Sequence, residues 1–160
     1  MSKIQKIWKH PLYQEHYLRI QELEKERRLC CHTLEHFLAV ARLTYIYVLE
    51  EGLEVSRRII YAAGLLHDIG KDLQYTQGIP HEEASARIAE KILRDCGFAA
   101  DESEMILDLI LTHRKKKKAQ KARLNELFYK VDKGSRNCLI CPAIAECNWS
   151  IEKKNMRIRY

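Results

Sequence analysis

The sequence predicts an all-α protein, a bundle of about six to eight helices. Apolar residues recur every three to four positions through most of the chain, and nowhere do they alternate as a half-buried strand requires. The three prolines and six glycines fall between the apolar runs, where they bound helices instead of interrupting them. Apolar residues make up 46% and charged residues 31% of the 160 positions, the balance of an ordinary globular protein with a real core.

In order, residues 3–9 form a short opening helix that His10-Pro11 stops. Residues 12–29 are a charged amphipathic helix with Tyr17, Ile20, Leu23 and Arg27 along one side. A third helix over 32–50, rich in Leu, Phe, Ala and Val, closes at Gly52. The fourth, over 55–67, carries an apolar run into His67-Asp68, and Gly70 gives it an exit. Residues 74–78 are expected to form a loop. Pro80 suits a first helical turn, and the helix it opens runs through Leu93 to a stop at Gly97. Asp101 and Glu104 have capping-box spacing, and the helix beyond them ends near His113. The basic run Arg114-Lys115-Lys116-Lys117-Lys118 is a connection to a last helix that starts near Leu124 and carries Asp132. No repeat or low-complexity linker divides the chain. A single domain over 1–160 is expected, its core at about 30–136 and a cysteine-rich tail at 137–160.

The net charge is +6, and much of it sits in residues 114–118. Such a run is commonly a solvated face. It can also draw anionic substrates toward a nearby cleft or touch nucleic acid, but no aromatic residues are interleaved as a stacking platform requires. Nucleic acid is therefore not the expected partner. No stretch approaches the roughly 18 to 20 apolar residues of a membrane span. The N-terminus, MSKIQKIWKHPLYQEHY, lacks the apolar centre of a signal peptide. A cytoplasmic protein with no membrane partner is expected; the oligomeric state is not legible.

The stretch AAGLLHDIGKD, residues 62–72, organises the chemistry. Adjacent imidazole and carboxylate groups at a helix end can converge on one cation. Alone, such a pair commonly faces solvent. His32 and His36, four apart, are expected on one face of the third helix, and His36 interrupts the core-facing run that follows it. An isolated histidine there is ordinarily a hydrogen-bonded core residue. His81 opens one helix, His113 ends another, and Asp132 lies on the last. As a set, these residues are the mixed imidazole and carboxylate donors favoured by divalent cations used in hydrolysis.

His36, His67-Asp68 and Asp132, in that order on successive helices, resemble the H…HD…D signature of the HD superfamily of metal-dependent phosphohydrolases. The likeness covers about 30–136 and includes the contexts LLHDIGK and YKVDKGSR. It implies an HD-domain helical bundle with a divalent metal (Fe, Mn, Mg, Co, Ni or Zn) held by His36, His67, Asp68 and Asp132. Some members bind two metals through two further histidines in that interval. His81 and His113 stand there, which implies a second metal with Asp68 bridging. His32 is left as a substrate-contacting or acid–base residue beside the metal. Distant relatives use similar residue sets with di-iron for oxygenation.

Lys71, Arg114, Lys133 and Arg136 lie beside the expected ligands and suit the non-bridging oxygens of a phosphoryl group. Asp68, Lys71 and His32 are the expected catalytic residues. The substrate is expected to be a phosphate ester or anhydride of a nucleotide or other small metabolite, opened by metal-activated water.

The six cysteines form a second constellation. Cys138, Cys141 and Cys147 have the spacing C-x2-C-x5-C, and Cys30 or Cys31 can supply a fourth thiolate. The spacing is similar to the last three cysteines of the iron–sulfur loop in some DNA glycosylases, which favours a [4Fe–4S] cluster over zinc; reduced cysteines packed as small apolar groups are the alternative. The competing functional reading is a non-catalytic, metal-stabilised module that binds nucleic acid or senses redox state.

Overall fold

An apolar helix, α4 (Arg57–Leu66), runs through the middle of the bundle with seven of its ten residues buried. Beyond the exposed Arg57 and Arg58 the helix has almost nothing polar to give to solvent, so the rest of it must be surrounded. In the computed structural model, which describes residues 1–114 and 122–158, it is enclosed by α1 (Lys3–Lys9), α3 (Leu34–Glu50), α6 (His81–Asp95) and α7 (Ala100–Thr112). The remaining helices are α2 (Pro11–Leu23), α5 (Lys71–Gln77) and α8 (Arg123–Gly134). The last of these lies across α3 and α7, and α2 packs on α1, α5 and α6. Every regular element among the described residues is helical. None of these helices is long and apolar enough to cross a membrane.

The core draws on all of them. Phe37, Ile60, Leu66, Ile106 and Phe128 are wholly buried, each worth roughly 1.5–3 kcal/mol of transfer free energy. Helices α3 and α4 approach closely at Gly64. A Cβ on Gly64 would lie 2.7 Å from the Cβ of Ala41 and 3.1 Å from its backbone N. Hydrogen there lets the two backbones touch.

Three local expectations are corrected. The second helix stops at Leu23 instead of continuing to residue 29. Beyond it the Glu24 carboxylate accepts the backbone N–H of His32 at 2.6 Å, and Arg27 Nε donates to the Cys30 carbonyl at 3.1 Å. These side-chain bonds replace the helical ladder. His32 consequently precedes α3, whose N-cap is Thr33, so it shares no helix face with His36.

Residues 74–77, expected as loop, belong to α5, which closes at Gly78 with φ +70°. A seven-residue helix is too short to be stable by itself. This one is fixed from outside, because its buried Asp72 meets His16 of α2 at 2.8 Å. The expected Asp101–Glu104 capping box is absent. Helix α7 begins earlier, and Glu102 accepts the N–H of Ala99 at 3.1 Å while pairing with Lys3 (3.0 Å) and Arg58. The lysines 115–118 lie outside the described residues.

Helix propensity alone would make Gly64→Ala stabilising by about 1 kcal/mol. The contact with Ala41 reverses the sign, and thermal denaturation should show a loss of roughly 1–3 kcal/mol. Glu102 offers a pH test. Burial raises its pKa, but the Ala99 N–H, Lys3 and Arg58 together lower it from 4.5 to about 2. Its charge therefore stabilises the fold fully above 4.5 and ceases to do so as pH falls toward 2. Glu102→Gln should melt below the parent protein at neutral pH, and the two melting curves should converge in that acid window.

Candidate metal centre

Helix ends on one side of the bundle deliver six donors to one place. His36 comes from the first turn of α3, His67 caps α4, and Asp68 follows it. His81 opens α6, His113 caps α7, and Asp132 sits near the end of α8. All six are buried. The donor atoms of His36, His67, Asp68 and Asp132 lie within 4.8 Å of one another, as do those of Asp68, His81 and His113.

Asp68 joins the two sets. Its Oδ2 is 3.2 Å from His67 Nε2 and 3.8 Å from His36 Nε2. Its Oδ1 is 3.0 Å from His81 Nε2 and 3.5 Å from His113 Nε2. Opposite, Asp132 Oδ1 lies 3.5 Å from both His36 Nε2 and His67 Nε2.

The second nitrogen of each ring has a partner that fixes its orientation. His67 Nδ1 donates to the Gly64 carbonyl (2.8 Å), and His113 Nδ1 to that of Ile110 (2.6 Å). His81 Nδ1 donates to Gln74 Oε1 at 2.8 Å. The Ser135 hydroxyl donates to the Asp132 carbonyl at 3.0 Å, which leaves its oxygen to accept from His36 Nδ1 at 3.3 Å. In each case Nε2 is turned inward, the arrangement that orients histidine ligands in metal sites.

Three of the inward atoms, His36 Nε2, His67 Nε2 and Asp68 Oδ1, are buried with no hydrogen-bond partner. Burying such groups unsatisfied is costly. Two nearly touching nitrogens, His81 Nε2 and His113 Nε2 at 3.0 Å, likewise face each other with lone pairs. A divalent cation in each donor set would give these atoms partners, so the residues present fit such ions.

The titration behaviour follows from the same contacts. Burial raises the pKa of Asp68, but His67 and His32 overcome it and hold the carboxylate well below the usual range. Asp132 behaves alike, with burial outweighed by His36 and His67. Burial lowers the pKa of His67, yet Asp68 and Asp132 raise it to about 9, whereas burial takes His81 down to about 4.

Above these donors opens a cavity of about 400 Å³, whose walls include His32, Lys71, Arg114, Lys133 and Arg136. This is within the size range of small-molecule sites. Lys71 Nζ donates to Gln74 Oε1 at 3.2 Å, and burial foremost lowers its pKa. Lys133 pairs with Asp132 at 2.5 Å, and Arg114 with Glu82 at 3.2 Å. His32 is held by Glu24 through Nδ1 (2.5 Å) and points Nε2 toward Asp68 Oδ2 at 3.5 Å.

Residues 33–141 match the HD domain. The chain belongs to the HD domain family. That membership and the buried His/Asp cluster point to the metal-dependent phosphohydrolases as its wider class. This HD protein is 46% identical over 142 residues to an uncharacterized protein of Clostridium beijerinckii, covering 89% of the chain and 88% of that relative. It is 42% identical over 59 residues to the bifunctional uridylyltransferase/uridylyl-removing enzyme of Azospirillum brasilense, covering 37% of the chain and 6% of that enzyme. Over 82 residues it is 35% identical to ribonuclease Y of Pseudothermotoga lettingae, covering 51% of the chain and 14% of the ribonuclease. The chain thus spans a small part of the two named enzymes. No solved structure matches it.

Sequence spacing missed Glu24, Gln74 and Ser135, which hold His32, His81 and His36. Gln74 lay in the expected loop, and the sequence carries no separate signal for the other two.

Binding of a divalent ion to this donor set should stabilise the protein. Chelator-treated protein given Mn²⁺ or Mg²⁺ at a hundredfold excess over Kd should gain about 2.7 kcal/mol in thermal unfolding. Asp68→Ala should abolish the gain, and a melting temperature that no divalent ion moves would count against the centre.

Proposed function

We propose that this HD protein hydrolyses a phosphate ester or anhydride of a nucleotide or other small phosphorylated metabolite. The observation that carries the reading is Asp68, one carboxylate shared between two sets of inward imidazoles at the floor of a cavity with cationic walls. His36, His67, Asp68 and Asp132 would hold one cation, and His81 and His113 with Asp68 a second. Bound there, a divalent cation makes water a nucleophile near neutral pH and polarises a phosphoryl oxygen.

The chain's own groups supply the rest. Lys71, Arg114, Lys133 and Arg136 draw the phosphoryl group inward and neutralise its non-bridging oxygens as the bond to the leaving oxygen breaks. His32 moves the proton. Burial lowers its pKa against the pull of Asp68 and Glu24, so it is neutral at neutral pH. Glu24 occupies Nδ1, which leaves Nε2 free to accept a proton from the attacking water. A related ribonuclease and a uridylyl-removing enzyme support the reading, since both names concern bonds at a nucleotide phosphate.

The test is release of phosphate or chromophore from a panel of nucleotides and a generic phosphate ester, with Mn²⁺ present. Asp68→Asn and His67→Ala should leave no measurable turnover. Gln74→Ala, which frees the His81 ring, should lose about 10- to 100-fold. His32→Ala should lose about 10²- to 10⁴-fold while retaining the bound metal. Full activity in Asp68→Asn would end the proposal.

A further inference from the structure

Two of the cysteines that the His/Asp centre leaves unused lie at the edge of the same cavity. Cys30 and Cys147 both line it, alongside Trp149. Cys138 is buried and starts a tight turn, in which the N–H of Cys141 bonds back to the Cys138 carbonyl at 3.3 Å. Cys31 is turned away, its thiol directed at the carbonyls of Arg27 and Leu29 at 3.4 and 3.3 Å. Arg136 clamps the Cys31 carbonyl at 2.5 Å and Arg28 pairs with Glu146 at 2.6 Å, which fastens the segment bearing Cys30 to the tail. Burial raises the Cys30 pKa against the pull of Arg136, and Cys138, Cys141 and Cys147 add to the rise. Burial and Glu24 raise the Cys31 pKa.

The tail itself needs an explanation. Residues 137–158 contain no helix, and only Cys138, Ala143 and Asn155 among them are buried. Ile140, Ile151 and Ile158 are about 80% exposed. So short a segment without a core is ordinarily held by a disulfide or a metal, and all six cysteines are free thiols.

We propose that Cys30, Cys138, Cys141 and Cys147 bind a [4Fe–4S] cluster that fixes the tail as one wall of the cavity. Four thiolates with the C-x2-C-x5-C arrangement suit either such a cluster or zinc. The C-x2-C-x5-C spacing, similar to the last three cysteines of the iron–sulfur loop in some DNA glycosylases, favours the cluster.

The test uses the whole chain, produced with iron and purified without oxygen. Acid-labile sulfide is the decisive readout, because iron on the His/Asp centre brings none. About four sulfides per chain are expected, with the broad visible absorption of sulfide-to-iron charge transfer. Cys147→Ser and Cys138→Ala should each lose most of the sulfide, whereas Cys31→Ser, Cys96→Ala and Asp68→Ala should keep it. The last variant separates this site from the hydrolase reading. Alkylation followed by mass spectrometry covers the case of a misfolded variant: in the loaded parent protein Cys31 should be modified, and Cys30, Cys138, Cys141 and Cys147 protected. One zinc per chain without sulfide, or rapid alkylation of Cys30 and Cys147 in the anaerobic protein, would overturn the proposal.

Discussion

A charged carboxylate buried among five imidazoles is the constraint on which this protein is built. Asp68 lies 3.0–3.8 Å from the Nε2 atoms of His32, His36, His67, His81 and His113. Burying an unpaired carboxylate would cost several kcal/mol, so each of the segments supplying those rings must end in the right place. That is why the functional residues cluster at helix termini. A terminus leaves backbone carbonyls without helical partners, and two of them, at Gly64 and Ile110, accept the outer nitrogens of His67 and His113. The chemistry of helix ends and the orientation of the rings are one arrangement.

Residue types and spacing made much of this legible. An apolar helix running straight into His-Asp, with a histidine well before and an aspartate well after, marked the elements whose ends had to meet. The six donors were each identifiable from the sequence, and their convergence became visible only with the packing of α3, α4, α6, α7 and α8. What stayed hidden acts through tertiary contact. Glu24 halts a helix that periodicity would have extended, because its carboxylate binds the backbone of His32 eight residues on. Helix α5 was invisible because seven residues carry too little periodicity, and its Asp72 is anchored by His16, far away in the chain. Ser135 and Gln74 are unremarkable polar residues until an imidazole is seen beside each.

Gly70 illustrates how a residue can be noticed for one reason and needed for another. Its position after His67-Asp68 reads as a helix exit, yet its φ of −90° is open to any residue. The requirement is space. A Cβ there would sit 2.5 Å from the Ser85 backbone N and 2.8 Å from the Ala84 carbonyl carbon, and the Gly70 N–H donates to Ser85 Oγ at 2.9 Å. The turn that presents Asp68 is thereby pressed against α6, the helix that presents His81. Both sides of the carboxylate are located by one backbone contact.

The meeting of Gly64 with Ala41 has a comparable effect on the other side of the centre. Gly64 lies one helical turn before His67, and Ala41 lies on the helix that bears His36. Because main chains and not long side chains set the separation of α3 and α4, the gauge between those two imidazoles is stiff. Were a cation held there, such a frame would discriminate by ionic radius: an ion too large would have to bend a helix to enter, and one too small would leave a donor out of reach.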